Sequence, residues 1–322
     1  MKDAVKLITT KAKSRKVPYS SVHTRPHRVA LFAPSSPLES EKLDAGLKII
    51  EEKATWLKII NDTFTDQTED MPSLPYLAGK DQLQAGRFSS LLLDTSIDIV
   101  WCLRGGYGSL RWLSMVPWDR IGHEAPVLIG FSDASFLHSA LFQQGHLSIH
   151  GPLISTLPIT TEPARKALWT CLDQGEFPSL SGTTLNPGKA KGPLIGGNLT
   201  CVTHLIGTTY EPGWNGAILL IEDHNEALYR LDRMLTQLLL TGRLSRLAGI
   251  AVGRLLETGK PEKLLQTLLQ DRLSSIGVPI ITDLPVGHIP DNYPLLIGGY
   301  YELDGDKGLL KPMTGLPGLQ RP

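Results

Sequence analysis

A strand-to-helix turn in the middle of the chain constrains the fold more than any other feature. The apolar residues 125–130 have the pattern of a buried strand, and apolar residues at helical spacing resume at Phe136. Ser132 lies at the turn, where the unpaired N–H groups of the next helix can stabilise an oxyanion. Ala134 replaces the second glycine of Gly-x-Ser-x-Gly. The turn predicts an α/β fold in which Ser132 is either a nucleophile or a helix cap, with Asp133 complementing the helix dipole.

The alternation of strand and helix patterns continues on both sides of this turn. Short apolar runs bounded by glycine or proline predict strands, and segments with a hydrophobic period of about 3.6 predict helices. Sheets covered by helices on both faces have this kind of sequence. Strands are predicted at 28–34, 97–103, 125–130, 216–224, 248–252 and 278–288, the last ending in a loop. Helices are predicted at 39–60, 81–93, 136–144, 164–172, 228–240 and 260–276.

The length of the chain predicts more than one domain, because 322 residues exceed a typical single hydrophobic core. The N-terminal residues are basic and lack hydrophobic periodicity, which predicts a flexible extension. A stretch rich in Thr, Pro and Gly is interpreted as the crossing between domains. The predicted parts are the extension 1–27, an N-terminal α/β domain 28–157, the linker 158–191, a C-terminal domain 192–313 and a tail 314–322.

Composition excludes several classes of function. The chain has 32 Lys and Arg against 32 Asp and Glu, so no net field attracts nucleic acid or an anionic membrane. Its three cysteines are widely spaced, which predicts reduced thiols rather than a disulfide framework or a zinc site. No stretch approaches the roughly 18 apolar residues of a membrane span, and no secretion signal is found. We expect a soluble cytoplasmic protein with a small or zwitterionic substrate.

Motifs for cofactors and metals are missing as well. The glycines at 105, 106 and 108 follow a strand but do not match Gly-x-Gly-x-x-Gly, and Gly188-Lys189 lacks the spacing and the Ser or Thr of a Walker loop. No His-Glu-x-x-His occurs. We therefore predict no cofactor and no metal. Glycines directly after a strand instead allow a backbone N–H to approach an oxyanion or a phosphate closely.

A serine nucleophile needs a base within hydrogen-bonding distance and a group that orients the base. Among nine histidines, His150 and His288 follow strands, where catalytic groups collect in open α/β sheets, and His288 has the more exposed setting. Glu222 and Asp223 end the clearest strand of the second half. Ser132, Glu222 and His288 have the chain order of an α/β-hydrolase triad. Purely structural roles for the histidine and the glutamate remain an alternative on these residues alone.

Five short motifs occur in order along the chain. They are Arg104-Gly105-Gly106-Tyr107-Gly108, Gly130-Phe131-Ser132-Asp133, Gly196-Gly197-Asn198-Leu199, Leu220-Ile221-Glu222-Asp223 and Gly287-His288. Together they resemble the LD-carboxypeptidase family, the serine peptidases of the muramoyl-tetrapeptide carboxypeptidase type. Pro34-Ser35-Ser36-Pro37 and Tyr76-Leu77-Ala78-Gly79 are also similar to that family. The resemblance covers about residues 28–312, and Phe131 stands where tyrosine is frequent in relatives.

The resemblance implies an N-terminal open-sheet domain with a nucleophile elbow, a β-rich C-terminal α/β domain, and an active site in the cleft between them, usually in a homodimer. It implies that Ser132 is the nucleophile, that His288 is the general base and then acid, and that Glu222 orients His288. The remaining implied site residues contact the oxyanion or the substrate. They are Gly106 and Asp133, whose backbone N–H groups form the oxyanion hole, and Gly105, Tyr107 and Asn198, which bind substrate.

The reaction implied by the resemblance is metal-independent hydrolysis of an L,D-amide through an acyl-enzyme. It releases terminal D-alanine from cytoplasmic murein tetrapeptide, as in peptidoglycan recycling. Relatives with the same triad instead cleave peptide-nucleotides of the microcin C type, which confers self-immunity. A substrate loop expected within residues 155–190 separates these alternatives. Trp169 is its candidate for stacking on adenine, although the helical setting of this residue favours core packing. A non-catalytic peptide-binding module is the hypothesis from a different class, and competent residues at all three triad positions argue against it.

Overall fold

The computed structural model describes residues 26–60, 72, 74–256 and 262–316. The predicted basic extension therefore lies outside the described residues up to position 25. The described strands are β1 (His27–Phe32), β2 (Leu57–Ile59), β3 (Ile99–Cys102), β4 (Val127–Gly130), β5 (Ser148–His150), β6 (Leu180–Ser181), β7 (Thr183–Asn186), β8 (Lys189–Asn198), β9 (Ile218–His224), β10 (Gly249–Leu256), β11 (Ile280–Thr282), β12 (Leu295–Ile297), β13 (Tyr300–Asp304) and β14 (Leu309–Pro312). The described α-helices are α1 (Ser40–Lys53), α2 (Asp81–Leu93), α3 (Ser109–Trp112), α4 (Ser135–Gln143), α5 (Glu162–Gln174), α6 (Leu199–His204), α7 (Leu228–Leu240) and α8 (Glu262–Leu273).

The first sheet has six strands in the order β12-β5-β4-β3-β1-β2. Its strands pair in parallel, except that β12 runs antiparallel to β5. Successive residues of β1 point to opposite faces: Leu31 belongs to one hydrophobic cluster and Phe32 to another. Both faces are covered, so every residue of β3 is buried, as its continuous apolar sequence predicts.

The second sheet has eight strands in the order β6-β14-β13-β8-β9-β10-β11-β7. Strands β8 to β11 are parallel, and antiparallel strands flank them on both sides. The helix α7 packs on this sheet through Leu231, Leu235 and Leu238, which share one face and are all buried. These leucines therefore pack in the core on one face of the helix predicted at 228–240.

The two sheets are joined by more than one crossing of the chain. Strand β12 follows the second-sheet strand β11 but pairs with β5 of the first sheet, with Leu295 opposite His150. Within residues 158–191, α5 packs through Leu168 into the hydrophobic cluster that contains Leu31, and β6 and β7 join the second sheet. We propose that the two sheets correspond to two domains; the boundaries set from the sequence stay a prediction.

Most predicted helices agree with the structure, and one is wrong at its end. The prediction over 39–60 overruns α1, which ends at Lys53, because Ala54 leaves the helical region with φ −138°. The following residues form β2, a three-residue edge strand in which Leu57 pairs with His27. The helix predicted at 164–172 is confirmed within α5, which ends at Gly175 in the left-handed conformation. Among the described helices, none has the length and apolar character that a bilayer crossing requires.

Candidate active site

Ser132 lies at a sharp turn between β4 and α4 and has an unusual backbone conformation. Its φ of 65° is in the left-handed region, which residues other than glycine rarely adopt. The 3-10 turn Ser132–Ala134 has Phe131 at its N-cap position, so Ser132 is not the capping residue. A Cβ at Gly130 would lie 3.0 Å from Cys102 Sγ, which explains the glycine before the turn. The structure thus contradicts the helix-cap alternative and has the geometry of a nucleophile elbow.

The side chains of Ser132, His288 and Glu222 meet in one hydrogen-bonded chain. His288 Nε2 lies 3.2 Å from Ser132 Oγ, and His288 Nδ1 lies 2.8 Å from Glu222 Oε2. Ser132 follows β4 of the first sheet, whereas Glu222 is in β9 and His288 follows β11 of the second. When Nδ1–H donates to the carboxylate, Nε2 is free to accept the serine proton, which is the arrangement that serine activation requires.

Burial and hydrogen bonding shift the pKa values of this chain in opposite directions. Complete burial raises the pKa of the Glu222 carboxyl, but the neighbouring imidazoles of His150 and His288 outweigh it and lower that pKa to about 2. Burial also lowers the pKa of His288, but the hydrogen bond and charge of Glu222, with the charge of Asp223, raise it overall. Glu222 is therefore ionised at neutral pH, and its charge favours the protonated form of His288.

The glycine-rich loop after β3 lies against Ser132. A Cβ at Gly105 would be 2.9 Å from Ser132 Cβ, 3.0 Å from Ser132 Oγ and 3.8 Å from the Asp133 backbone nitrogen. At Gly106, φ is 120° and a Cβ would overlap Ser36 Oγ. Gly106, Ser132 and Asp133 line the same cavity. Glycine at both loop positions thus brings the main chain next to the serine, where an oxyanion hole has to be.

Asp133 has a different partner from the one expected at its own helix. Its buried carboxylate accepts hydrogen bonds from Ser35 Oγ at 2.6 Å and from the Ser109 N–H at 2.9 Å. Burial raises the pKa of this carboxyl, and these bonds oppose the rise. The carboxylate therefore serves the first turn of α3, not that of α4. The sequence assigned no role to Ser35, which lies in the Pro34–Pro37 motif, or to Ser109, although both lie in segments that follow strands at the sheet edge where Ser132 is found.

The structure places the expected substrate residues in different settings. Tyr107 is 53% exposed and packs against Tyr76 with ring centroids 5.8 Å apart. Asn198 lines the cavity, but its amide is engaged within the protein. Its Oδ1 accepts from the Cys201 N–H and its Nδ2 donates to Asp223 Oδ1. Asn198 thus caps α6 and holds Asp223.

Two aromatic rings hold the His288 imidazole. Phe131 meets it edge-on with centroids 4.7 Å apart, and His224 stacks on it at 5.0 Å with an interplanar angle of 14°. Burial and the charge of His288 lower the pKa of His224. Sequence reasoning assigned no role to His224, although it directly follows the acidic pair. His150, the other candidate base, is completely buried and faces Glu222 instead, with Nε2 4.0 Å from Oε1.

A cavity of about 560 Å³ lies beside Ser132 and His288. Its wall combines apolar side chains with Arg111, Glu226 and several histidines, and its volume is in the usual range for small-ligand sites. None of its lining residues belongs to 155–190, so the expected substrate loop does not form this cavity. Trp169 packs on Trp101 with ring centroids 6.0 Å apart, as its helical setting indicated.

Comparison with known proteins covers both halves of the chain. Sequence profiles of the LD-carboxypeptidase N-terminal and C-terminal domains match residues 29–151 and 191–303. The chain belongs to the LD-carboxypeptidase family. Among relatives, a putative carboxypeptidase of Synechocystis sp. is 41% identical over 239 residues, 73% of this chain and 79% of the relative. The murein tetrapeptide carboxypeptidase of Pseudomonas aeruginosa is 30% identical over 302 residues, 87% of this chain and 94% of the relative.

Solved structures share the fold of this LD-carboxypeptidase family member. A muramoyltetrapeptide carboxypeptidase from Oxalobacter formigenes has a TM-score of 0.78 at 24% identity, over 88% of this chain and 97% of that chain. MccF in complex with glutamyl sulfamoyl guanosine has a TM-score of 0.77 at 18% identity, over 91% of this chain and 98% of that chain. The predicted fold class, an open-sheet elbow domain followed by a β-rich α/β domain, is confirmed.

Proposed function

We propose that the protein is a serine-type LD-carboxypeptidase that releases terminal D-alanine from murein tetrapeptide in the cytoplasm, as in peptidoglycan recycling. The observation that supports it most is the hydrogen-bonded chain of Ser132, His288 and Glu222 at the wall of the cavity. Family membership and the name of the Pseudomonas aeruginosa relative support the substrate class.

The first half of the proposed reaction forms an acyl-enzyme on Ser132. Its Oγ attacks the carbonyl carbon of the L,D-amide while His288 Nε2 takes the proton. This proton transfer increases the rate by about 10²–10⁴-fold. The backbone N–H groups of Gly106 and Asp133 donate hydrogen bonds to the oxyanion, and each donor increases kcat by about 10²–10³-fold. His288 then gives its proton to the D-alanine nitrogen, and the C–N bond breaks.

Water completes the proposed cycle by the same route in reverse. His288 removes a proton from a water molecule, whose oxygen attacks the ester carbonyl on Ser132. The second oxyanion occupies the same pair of N–H groups. When the C–O bond to Ser132 breaks, His288 returns the proton to Oγ, and the shortened peptide leaves with a new carboxylate. Glu222 stays ionised throughout and holds the imidazole orientation.

The charged groups of the cavity match a substrate with charges of both signs. Arg111 lies at the cavity wall and pairs with Asp81 through two hydrogen bonds of 2.9 and 2.8 Å. Glu226 lies at the same wall and pairs with Arg230 at 3.4 Å. A murein tetrapeptide ends in a carboxylate and has a free ammonium on its diamino acid. A guanidinium and a carboxylate at one wall therefore suit it.

A second candidate is the cleavage of a peptide-nucleotide of the microcin C type. The observation that favours it is the pair of exposed rings of Tyr76 and Tyr107 beside the cavity, because a nucleobase can stack on such rings. The solved MccF complex, which has the same fold, contains glutamyl sulfamoyl guanosine.

Incubation of the purified chain with murein tetrapeptide and, separately, with processed microcin C distinguishes the candidates. We expect mass spectrometry to detect D-alanine release in the presence of EDTA and none with Ser132→Ala. Ser90→Ala is the matched control, since this hydroxyl lies on the exposed side of α2 and bonds to the Gly86 carbonyl. Cleavage of the microcin alone would assign the second candidate. Peptide binding without turnover of either substrate would assign the non-catalytic binding module.

The proposed setting includes two properties that follow from the family resemblance. We infer a cytoplasmic location, since intracellular recycling supplies the tetrapeptide there, and a homodimer. Light scattering of the purified chain at micromolar concentration tests the oligomeric state, and a mass near twice 35.2 kDa is expected. A monomer mass at the concentration of the activity assay would contradict it.

A further inference from the structure

His150 is a buried polar residue beside the site to which neither the packing nor the proposed reaction assigns a task. It ends β5, is 0% exposed, and places its Nε2 4.0 Å from Glu222 Oε1. Among the described residues, neither ring nitrogen of His150 has a hydrogen-bond partner, and Oε1 has none either. Oε2 of the same carboxylate is bonded to His288. One carboxylate oxygen is thus partnered, and the other faces an imidazole just outside bonding distance.

A shorter distance between His150 Nε2 and Glu222 Oε1 would stabilise the folded state. Buried polar groups in folded proteins almost always have partners, and each one without a partner costs about 1–3 kcal/mol. An imidazole N–H and a carboxylate oxygen are complementary, and the bond between them is charge-assisted. A shift of about 1 Å brings the two atoms to an ordinary N–H···O distance. The chemistry of the pair therefore favours a hydrogen bond between them.

The position of His150 in the fold means that such a bond would link the two sheets. His150 pairs with Gly130 of β4, two residues before Ser132, and so belongs to the sheet that bears the serine. Glu222 belongs to the second sheet. A bond from His150 to Glu222 therefore fixes the carboxylate against the sheet of the nucleophile, across the junction where the site is assembled.

We propose that His150 is a positioning residue whose Nε2–H donates a hydrogen bond to Glu222 Oε1, which leaves Oε2 to orient His288. The inference rests on the proposed function, because that function gives Glu222 its task. Because its hydrogen bond stabilises part of the carboxylate charge, His150 also limits how strongly Glu222 raises the basicity of His288. Other groups that can gain or lose a proton lie near His150, Glu222 and His288. They are Asp223, His224 and Ser132 near His288, Cys201 near Glu222, and His138 next to His150.

The wild-type chain itself provides the first test. Nuclear magnetic resonance of the full chain labelled with nitrogen-15 in its histidine rings shows which ring nitrogen bears the proton. His150→Gln and His288→Gln assign the two sets of signals. We expect His150 to be protonated on Nε2 with Nδ1 bare. A proton on Nδ1 with a bare Nε2 would overturn the proposal, and this measurement does not depend on any His150 variant folding.

Substitution supplies the second test. In His150→Phe, Glu222 keeps its full charge on the oxygens near His288, so the titration midpoint of His288 should rise by about 0.5–1 pH unit. The acid limb of kcat/KM should move to higher pH, and kcat should fall with KM unchanged. His150→Gln, whose side-chain N–H can reach Oε1, should restore both. A midpoint that stays in place or falls in His150→Phe would overturn the proposal.

A matched control separates positioning from damage to the core. His138 is also fully buried and lies 6.3 Å from His150 between ring centroids, but it bonds to Ser148 and Gly130 rather than to Glu222. His138→Gln should leave the midpoint of His288 unchanged even if activity falls. A shift in the midpoint with no D-alanine release would refute the proposed substrate and leave the positioning role standing. D-alanine release without a shift in the midpoint of His288 would refute the positioning role and leave the proposed substrate standing.

Discussion

In the proposed mechanism, the pKa of His288 decides the pH at which Ser132 is activated. Its imidazole must be neutral to accept the serine proton, and Glu222 together with Asp223 raises its pKa above the usual value of about 6.5 despite burial. We therefore expect kcat/KM to increase with pH, with an acid-limb midpoint above 6.5. Glu222→Gln should move this midpoint to lower pH and reduce kcat by about 10³–10⁴-fold, because the tautomer and the imidazolium lose their support.

Pre-steady-state and steady-state rates of D-alanine release between pH 5 and 9 measure both effects. Glu226→Gln is the control, because it removes a carboxylate from the same cavity without touching the hydrogen-bonded chain. An acid limb that stays in place in Glu222→Gln would show that this carboxylate does not set the basicity of His288.

Gly105 is a residue at which one added methyl group should reduce activity directly, because it lies against Ser132. In Gly105→Ala, Cβ would meet Ser132 Cβ at 2.9 Å and Oγ at 3.0 Å, so the elbow or the loop must move. We expect at least a 10²-fold loss of kcat/KM from one misplaced oxyanion donor. Gly86→Ala on α2 meets nothing within 4 Å and should instead stabilise the fold by about 0.5–1 kcal/mol. Equal activities of the two variants would contradict the close approach of the loop.

The helix α4 is fixed to the first sheet by His138. Nε2–H donates to the Gly130 carbonyl at 2.9 Å, and Ser148 Oγ donates to Nδ1 at 2.8 Å. Burial lowers the pKa of His138 to about 3, so the native state keeps it neutral while the unfolded chain binds a proton below about pH 6.5. Stability from this group is therefore lost as pH falls from about 6.5 towards 3, by at most about 1.4 kcal/mol per pH unit.

His138→Gln should lower the free energy of unfolding less at acid pH than at neutral pH. Glutamine does not titrate, so it escapes the loss that the wild type suffers as pH falls. The difference in unfolding free energy between the two proteins should narrow by about 1–2 kcal/mol between pH 7 and pH 5. Urea unfolding at both pH values measures it, and a constant difference would mean that folding does not lower the pKa of His138.

At the level of elements, the sequence predicts what is local and misses what depends on distant pairing. The turn at Ser132 and the bounds of α2 and α7 follow from hydrophobic period alone. The three residues of β2 have too short a pattern to separate them from the preceding helix. The positive φ of Ser132 and the hydrogen bond that Ser35 Oγ donates to Asp133 depend on how distant parts of the chain are arranged, 98 residues apart in the case of that bond, which no local pattern encodes. Motif resemblance supplied the triad partners that periodicity left open.

At the scale of the whole molecule, we expect β12 to couple the two sheets into one cooperative unit, because it pairs with β5 of the first sheet and follows β11 of the second. Leu296 in this strand is 0% exposed, and Leu296→Ala should cost about 2–5 kcal/mol of stability. Because β12 belongs to the first sheet but follows a strand of the second, amide protection should fall equally in β3 and β9. Hydrogen exchange followed by mass spectrometry measures this. Leu264→Ala is the control, because this side chain of α8 is exposed and its loss should change stability by no more than about 0.5 kcal/mol. Loss of protection in β5 alone would show that the sheets open separately.

The late arrival of β12 also matters while the chain is being made. His150 pairs with Leu295, so about 145 further residues leave the ribosome before the outer edge of β5 is covered, an interval on the order of 10–30 s. During that interval β5 has free N–H and C=O groups on which another chain can add a strand. The half-made protein, rather than the finished one, is then the form most prone to aggregate, and slower translation lengthens its exposure.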